Sequence, residues 1–193
     1  MDLTQGTTQE KINRSKKTMM WFAMISMAMV FAGLTSAYVV SKSRKDWATD
    51  LEFPQAFVIS ILVILLSSAT FHFVKKAIDQ NNRGLATGLL LATLGLGALF
   101  VNLQFQGFND IINQGYHFTG PTSNIVSTFM FIIVVTHLAH IVGGLLVLLV
   151  VIYNHFKQKY KKGQTLGLEL GAMYWHFVDF LWVYLFLFLY FVK

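Results

Sequence analysis

Cysteine is absent from this chain of 193 residues, which excludes disulfides, thiolate metal sites and cysteine nucleophiles. Charge is scarce as well. Charged residues make up 12% against 55% hydrophobic ones, and mean hydropathy is +0.56. So little charge does not fit a soluble domain and points to an integral membrane protein. The charge that remains is unbalanced, 15 Lys and Arg against 9 Asp and Glu, for a formal net of +6. A basic excess can signal an anionic partner, but here it sits in the loops between apolar runs, where positive charge orients helices. That placement argues against nucleic acid. Only two prolines occur, and Pro54 opens an apolar run, where its missing N–H costs nothing. No internal repeat or second domain is visible.

Five apolar runs are present, at 18–41, 54–74, 84–106, 123–153 and 168–192. Crossing a hydrocarbon core of about 30 Å takes about 20 helical residues, so each run can span. The expected fold class is all-α, a polytopic membrane bundle of five transmembrane helices. It forms one transmembrane domain, 18–193, behind a polar cytoplasmic segment, 1–17. The fourth run exceeds a straight span and is expected to tilt or project. The segment 1–17 has no apolar region of a secretory signal, and 18–41 reads as a retained helix.

Lys and Arg assign the orientation. Lys11, Arg14, Lys16, Lys17, Lys75, Lys76, Arg83, Lys157, Lys159, Lys161 and Lys162 fall on one side, and Lys42, Arg44, Lys45 and Lys193 on the other. This bias predicts a cytoplasmic N-terminus and an outer C-terminus. Small residues recur four apart at Gly84, Gly88 and Ala92 and at Ala28, Ala32 and Ser36. That spacing predicts closely packed neighbours, or a docking face for another subunit.

Ionisable residues inside the apolar runs are the candidate functional positions, because hydrocarbon makes them costly. His72 lies near the end of its run and is expected to reach the interface. His137 and His140 lie mid-helix in the fourth run. In the fifth, Glu169, His176 and Asp179 fall within about 80° of one another, one polar stripe. Folding the last two helices into a hairpin brings His140 within about one turn of Asp179, so a His140–Asp179 bond is expected. Metal or haem ligation is the competing reading. Zinc would need a third ligand and an open position. A haem would take axial histidines from facing helices, His140 and His176. Buried polar residues that fix helix pairing are the favoured reading.

The stretch Tyr174-Trp175-His176-Phe177-Val178-Asp179, running from Glu169 to Trp182, resembles the closing helix of the cytochrome c oxidase subunit III family. His137-Leu138-Ala139-His140, followed by Gly143, is similar to the family's H-x-x-H-x-x-G on its penultimate helix. Leu103-Gln104 matches the family's L-Q before its long outer loop, and Ser26 to Tyr38 resembles the first helix of its five-helix core. The likeness runs from Met20 onward. Two positions depart from it. Met27 stands where many members carry a membrane-embedded glutamate, and Gly107 where an acidic residue follows L-Q. No role of those carboxylates is carried over.

The resemblance implies a non-catalytic subunit of a proton-pumping haem–copper terminal oxidase in a bacterial cytoplasmic membrane, in the short five-helix form. Such a subunit carries no haem or copper of its own; both belong to partner subunits. It implies packing on subunit I, with subunit II and other oxidase subunits nearby, a respiratory supercomplex, structural phospholipid, and support of proton uptake and complex stability. His137, His140, Glu169, His176 and Asp179 are then structural or lipid-contacting polar positions, and Trp175 and Trp182 aromatic packing positions in reach of lipid. No catalytic, metal or cofactor-binding residue is implied. Alternatives remain open: subunit III of a quinol oxidase, a companion protein of nitric oxide reductase, a small b-type haem cytochrome, or a small transporter, for which no broken helix or inverted repeat is apparent.

Overall fold

In the computed structural model, residues 7–44, 47, 53–120, 123–160 and 165–192 are described. Among them every regular element is a helix: α1 Thr8–Ser41, α2 Gln55–Asp79, α3 Arg83–Asn113, α4 Ile125–Phe156 and α5 Leu166–Phe191. All five are long and apolar enough to cross a membrane. Hydrocarbon leaves the backbone no water to bond, so an apolar run must satisfy its N–H and C=O groups internally, as a helix does. Four of the basic residues used for orientation, Lys45, Lys161, Lys162 and Lys193, lie outside the described residues, as do positions 1–6.

Hydropathy places the helices but not their ends. α1 begins at Thr8, well inside the segment expected to be merely polar. A capping box starts it: Glu10 N–H donates to Thr7 Oγ1 at 3.3 Å, and Thr7 N–H to Glu10 Oε2 at 2.9 Å. These bonds satisfy N–H groups that a helix start leaves unpaired. α4 starts with the same device, Ser127 N–H donating to Asn124 Oδ1 at 2.8 Å. α2 and α3 run on to Asp79 and Asn113, beyond their apolar runs, because a polar turn outside the hydrocarbon remains a good helix. Asn81, at φ 57°, makes the left-handed turn between them, a conformation Asn tolerates better than most residues.

The helices α2, α3, α4 and α5 form a ring in which each packs on the next and α5 closes back on α2. α1 lies outside the ring against α4 and α5 and does not touch α2 or α3. α5 therefore meets three helices. Two buried apolar layers fill the bundle, one around Phe57, Phe100, Phe108 and Trp182, the other around Phe71, Val74, Leu90 and Trp175.

The small residues singled out by spacing are not where the helices close up. Space is open beyond Gly88, Gly84 has only its own Asn82 cap at 4.0 Å, and Ala28, Ala32, Ser36 and Ala92 are exposed. The close approach is made by glycines that receive large rings. At Gly107 a Cβ would collide with the Phe57 ring, which is 1% exposed and held between Phe108 and Trp182. Gly107→Ala is expected to lower stability by about 1–3 kcal/mol through overpacking, whereas Gly88→Ala should leave it unchanged or slightly raised. Denaturant unfolding of both variants checks the contrast.

Candidate functional site

Tryptophan buries its ring well only when its N–H finds an acceptor. Trp175 and Trp182 sit seven residues apart on α5, and Ser67 and Ser60 sit seven apart on the antiparallel α2. Trp175 Nε1–H donates to Ser67 Oγ at 3.1 Å, and Trp182 Nε1–H to Ser60 Oγ at 3.0 Å. Each serine also ties in α3. Gln104 Nε2 donates to Ser60 Oγ at 3.2 Å, and Ser67 Oγ donates to the Thr93 carbonyl at 3.4 Å. The result is two polar rungs across α3, α2 and α5, stacked two helical turns apart. Both tryptophan rings are 1% exposed, so they face the interior and not lipid.

The two sequence elements that carry the resemblance meet each other. Tyr174 OH donates to the His140 carbonyl at 3.0 Å. Trp175 and Tyr174 pack on the bare backbone of Gly144. Trp182 stacks on the imidazole of His137, ring centroids 5.1 Å apart and planes at 24°. His137 is fully buried, with the edges of Phe31 and Phe100 on its ring. Among the described residues neither of its nitrogens has a hydrogen-bond partner. It packs as an aromatic ring. The H-x-x-H-x-x-G element of α4 is thus a receptor for the aromatic face of α5.

The stripe Glu169, His176, Asp179 divides into three environments. Glu169 sits at the end of the bundle and binds two helices. Its Oε1 accepts from Lys75 of α2 and its Oε2 from Lys17 of α1, each at 2.7 Å, while Thr165 Oγ1 donates at 3.1 Å. His176, half-buried, pairs its Nδ1 with Ser68 Oγ at 2.6 Å. Asp179, 2% exposed, has no hydrogen-bond partner for either oxygen among the described residues. The expected His140–Asp179 bond does not form. His140 instead donates its Nδ1–H to the carbonyl of Thr136, one turn back on α4, at 2.7 Å, so the α4–α5 pairing rests on Tyr174, Trp175 and Trp182. His72 is exposed, as its position implied, with its ring centroid 6.2 Å from that of His176. Among the described residues no three His, Asp or Glu side chains converge as a metal site.

Sequence reasoning overlooked Ser60, Ser67, Ser68 and Thr93, and used Lys17 and Lys75 for orientation without foreseeing their pairing with Glu169. A signal for two of them was available, since the seven-residue interval between the serines equals that between the tryptophans. Trp182→Phe combined with Ser60→Ala in a double-mutant cycle is expected to show coupling of about 0.5–1.5 kcal/mol, the usual net value of one hydrogen bond. Independent effects would contradict the rung. Glu169→Gln should raise amide exchange in the first turns of α1 by about fivefold, equivalent to the ~1 kcal/mol of a partly exposed ion pair. Exchange mass spectrometry of that segment gives the readout.

Residues 3–193 match the family model described as cytochrome c oxidase subunit III. Among similar proteins, cytochrome c oxidase subunit 3 of Corynebacterium diphtheriae is 30% identical over 172 residues, covering 86% of this chain and 82% of the relative. Cytochrome bo(3) ubiquinol oxidase subunit 3 of Buchnera aphidicola (subsp. Acyrthosiphon pisum) is 26% identical over 191 residues, covering 97% of this chain and 92% of the relative. Cytochrome c oxidase subunit 3 of Bacillus sp. (strain PS3) is 27% identical over 172 residues, covering 86% and 80%. With the H-x-x-H-x-x-G element of α4 packed against the aromatic face of α5, the chain belongs to the cytochrome c oxidase subunit III family.

Proposed function

We propose that this chain is the non-catalytic subunit III of a haem–copper terminal oxidase, a proton-pumping complex that reduces oxygen to water. The observation that carries this reading is the family match along residues 3–193, coinciding with five membrane-long helices. Haem and copper belong to the partner subunits. This chain's part is structural: it packs on subunit I, near subunit II and the other subunits of a respiratory assembly, and supports proton uptake and the stability of the complex. Its titratable side chains inside the bundle are either bonded to neighbouring helices or packed as rings, apart from Asp179, so no catalytic role is assigned to them.

The outer surface supports a subunit that lives between lipid and protein. On the outward face of α3, Gln106 Nε2 donates to Asn102 Oδ1 at 2.8 Å, and both residues are exposed. Amides turned towards hydrocarbon are costly, which favours this face as the seat of a partner helix. A groove of about 680 Å³ between α3 and α4, lined by Phe105, Phe108, Phe131, Ile132 and Val135, has the shape and polarity for a phospholipid acyl chain. The excess of Lys and Arg on one side supports an N-terminus in the bacterial cytoplasm and a C-terminus outside. Relatives named for cytochrome c and for ubiquinol oxidases match to similar extents, which fits a subunit whose partners, on this reading, hold the electron-donor site.

Affinity purification of the tagged chain from its membrane is expected to bring down a haem-bearing subunit I. Stripping this chain from the complex should leave the Soret absorbance with that partner. A Soret band that stays on the isolated chain would instead favour the small b-type cytochrome. The absence of native cysteine makes topology directly measurable. A single cysteine at Gln9 should react with an impermeant maleimide only after the membrane is opened, and one at His117 without opening it. The reverse pattern would overturn the orientation.

A further inference from the structure

Asp179 is buried, and among the described residues neither of its oxygens has a hydrogen-bond partner. It lies between the two tryptophan rungs on α5, about 15 Å along the helix from the ion-paired Glu169. No Asp, Glu, Lys or Arg occurs in 18–41 of α1, 55–74 of α2, 84–109 of α3 or 125–156 of α4. The titratable groups in these spans are therefore histidines and tyrosines: Tyr38 on α1, His72 on α2, His137, His140 and Tyr153 on α4, with His155 near the end of α4 bonded to Thr87 at 2.9 Å. None of them bonds the carboxyl. An ionised carboxylate at this depth has no counter-charge. A carboxyl that contributes no pairing energy and costs much to ionise has the properties of a group that holds a proton.

A polar line leads from it to one end of the bundle. Ser68 Oγ is the partner of His176 Nδ1 at 2.6 Å, and His176 precedes Asp179 by three residues, on the same face of α5. Beyond His176 stands the ring of His72, at a centroid distance of 6.2 Å. His72 in turn lines an open cleft of about 570 Å³ with Lys75, Lys76, Asp79 and Gln80. Every step of this line lies on α2 or α5, the pair that the rungs hold in register.

We propose that Asp179 is a reversible proton-binding site in the membrane core, loaded from the Lys75 and Lys76 end of the bundle through His72, His176 and Ser68. A proton taken up on His176 Nε2 releases the Nδ1 proton to Ser68 Oγ. The Ser68 O–H bond breaks as a new O–H bond forms on Asp179, which passes from carboxylate to carboxylic acid. The Nδ1···Oγ bond can run in either direction, so unloading retraces the route. The inference needs only the bundle in its membrane and not the identity of the partner subunits, so its failure leaves the oxidase reading intact.

Infrared spectroscopy of the purified complex tests it. A protonated buried carboxyl gives its own C=O stretch, which should disappear in Asp179→Asn and shift on transfer to D2O in the unaltered protein. Ser68→Ala and His176→Leu retain the carboxyl and test the route even where Asp179→Asn assembles poorly. Each should slow the D2O shift by on the order of 10²-fold, the lower end of what a positioned proton-transfer group contributes. Retention of the full carboxyl signal in Asp179→Asn would overturn the site. A shift equally fast in both route variants and in the unaltered complex would overturn the loading path. A purely structural Asp179 predicts a carboxyl band that never converts to the carboxylate stretch as the pH is raised, and that outcome would overturn reversible proton binding.

Discussion

A tryptophan N–H cannot be left unpaired in hydrocarbon, and that constraint organises the bundle. Two tryptophans on α5 must each find an acceptor on a neighbouring helix, and two serines at the same seven-residue interval on α2 provide them. Because both pairs must close together, α2 and α5 are held in one register. A slip of one turn would break both indole bonds at once. Each serine also reaches α3, so the same contacts align three helices. The aromatic face of α5 then receives α4 through Gly144 and His137. Helix association in lipid lacks the hydrophobic driving force available in water. A few polar rungs with close-packed rings therefore carry the specificity that a buried apolar stripe carries elsewhere.

The sequence makes the helices legible because membrane spanning imposes a length and a composition, and the five apolar runs satisfy both. Their ends were not legible in hydropathy, since α1 starts at a Thr7–Glu10 capping box and α3 continues to Asn113. The polar stripe of α5 was legible as a periodicity of Glu169, His176 and Asp179. Its partners were not, because they depend on which helix α5 faces. A hairpin argument looks only to the adjacent α4, whereas α5 also packs on α2 and α1. His176 thus finds Ser68 of α2, and Glu169 finds Lys75 of α2 and Lys17 of α1. Small-residue spacing misled for a related reason. It records where a close approach is sterically possible, and only the arrival of Phe57 at Gly107 or Trp175 at Gly144 makes one.

Depth and partnership together separate the three ionisable residues of α5. Glu169 lies at the end of the bundle with two lysines and a hydroxyl, so its charge is compensated and its work is to tie α1 and α2 to α5. His176, two turns further in, spends one nitrogen on Ser68 and leaves the other side of its ring towards His72. Asp179 is deeper again and bonds nothing among the described residues. The helix pairing at its level is already supplied by Trp175 above and Trp182 below. An alanine or leucine there would cost less and would leave both rungs intact. A structural role therefore accounts for Glu169, and in part for His176, but not for Asp179. What distinguishes the carboxyl from every apolar alternative is that it can gain and lose a proton, and the polar side chains His176, Ser68 and His72 lead from its neighbourhood back to the lysine-bearing end of the bundle.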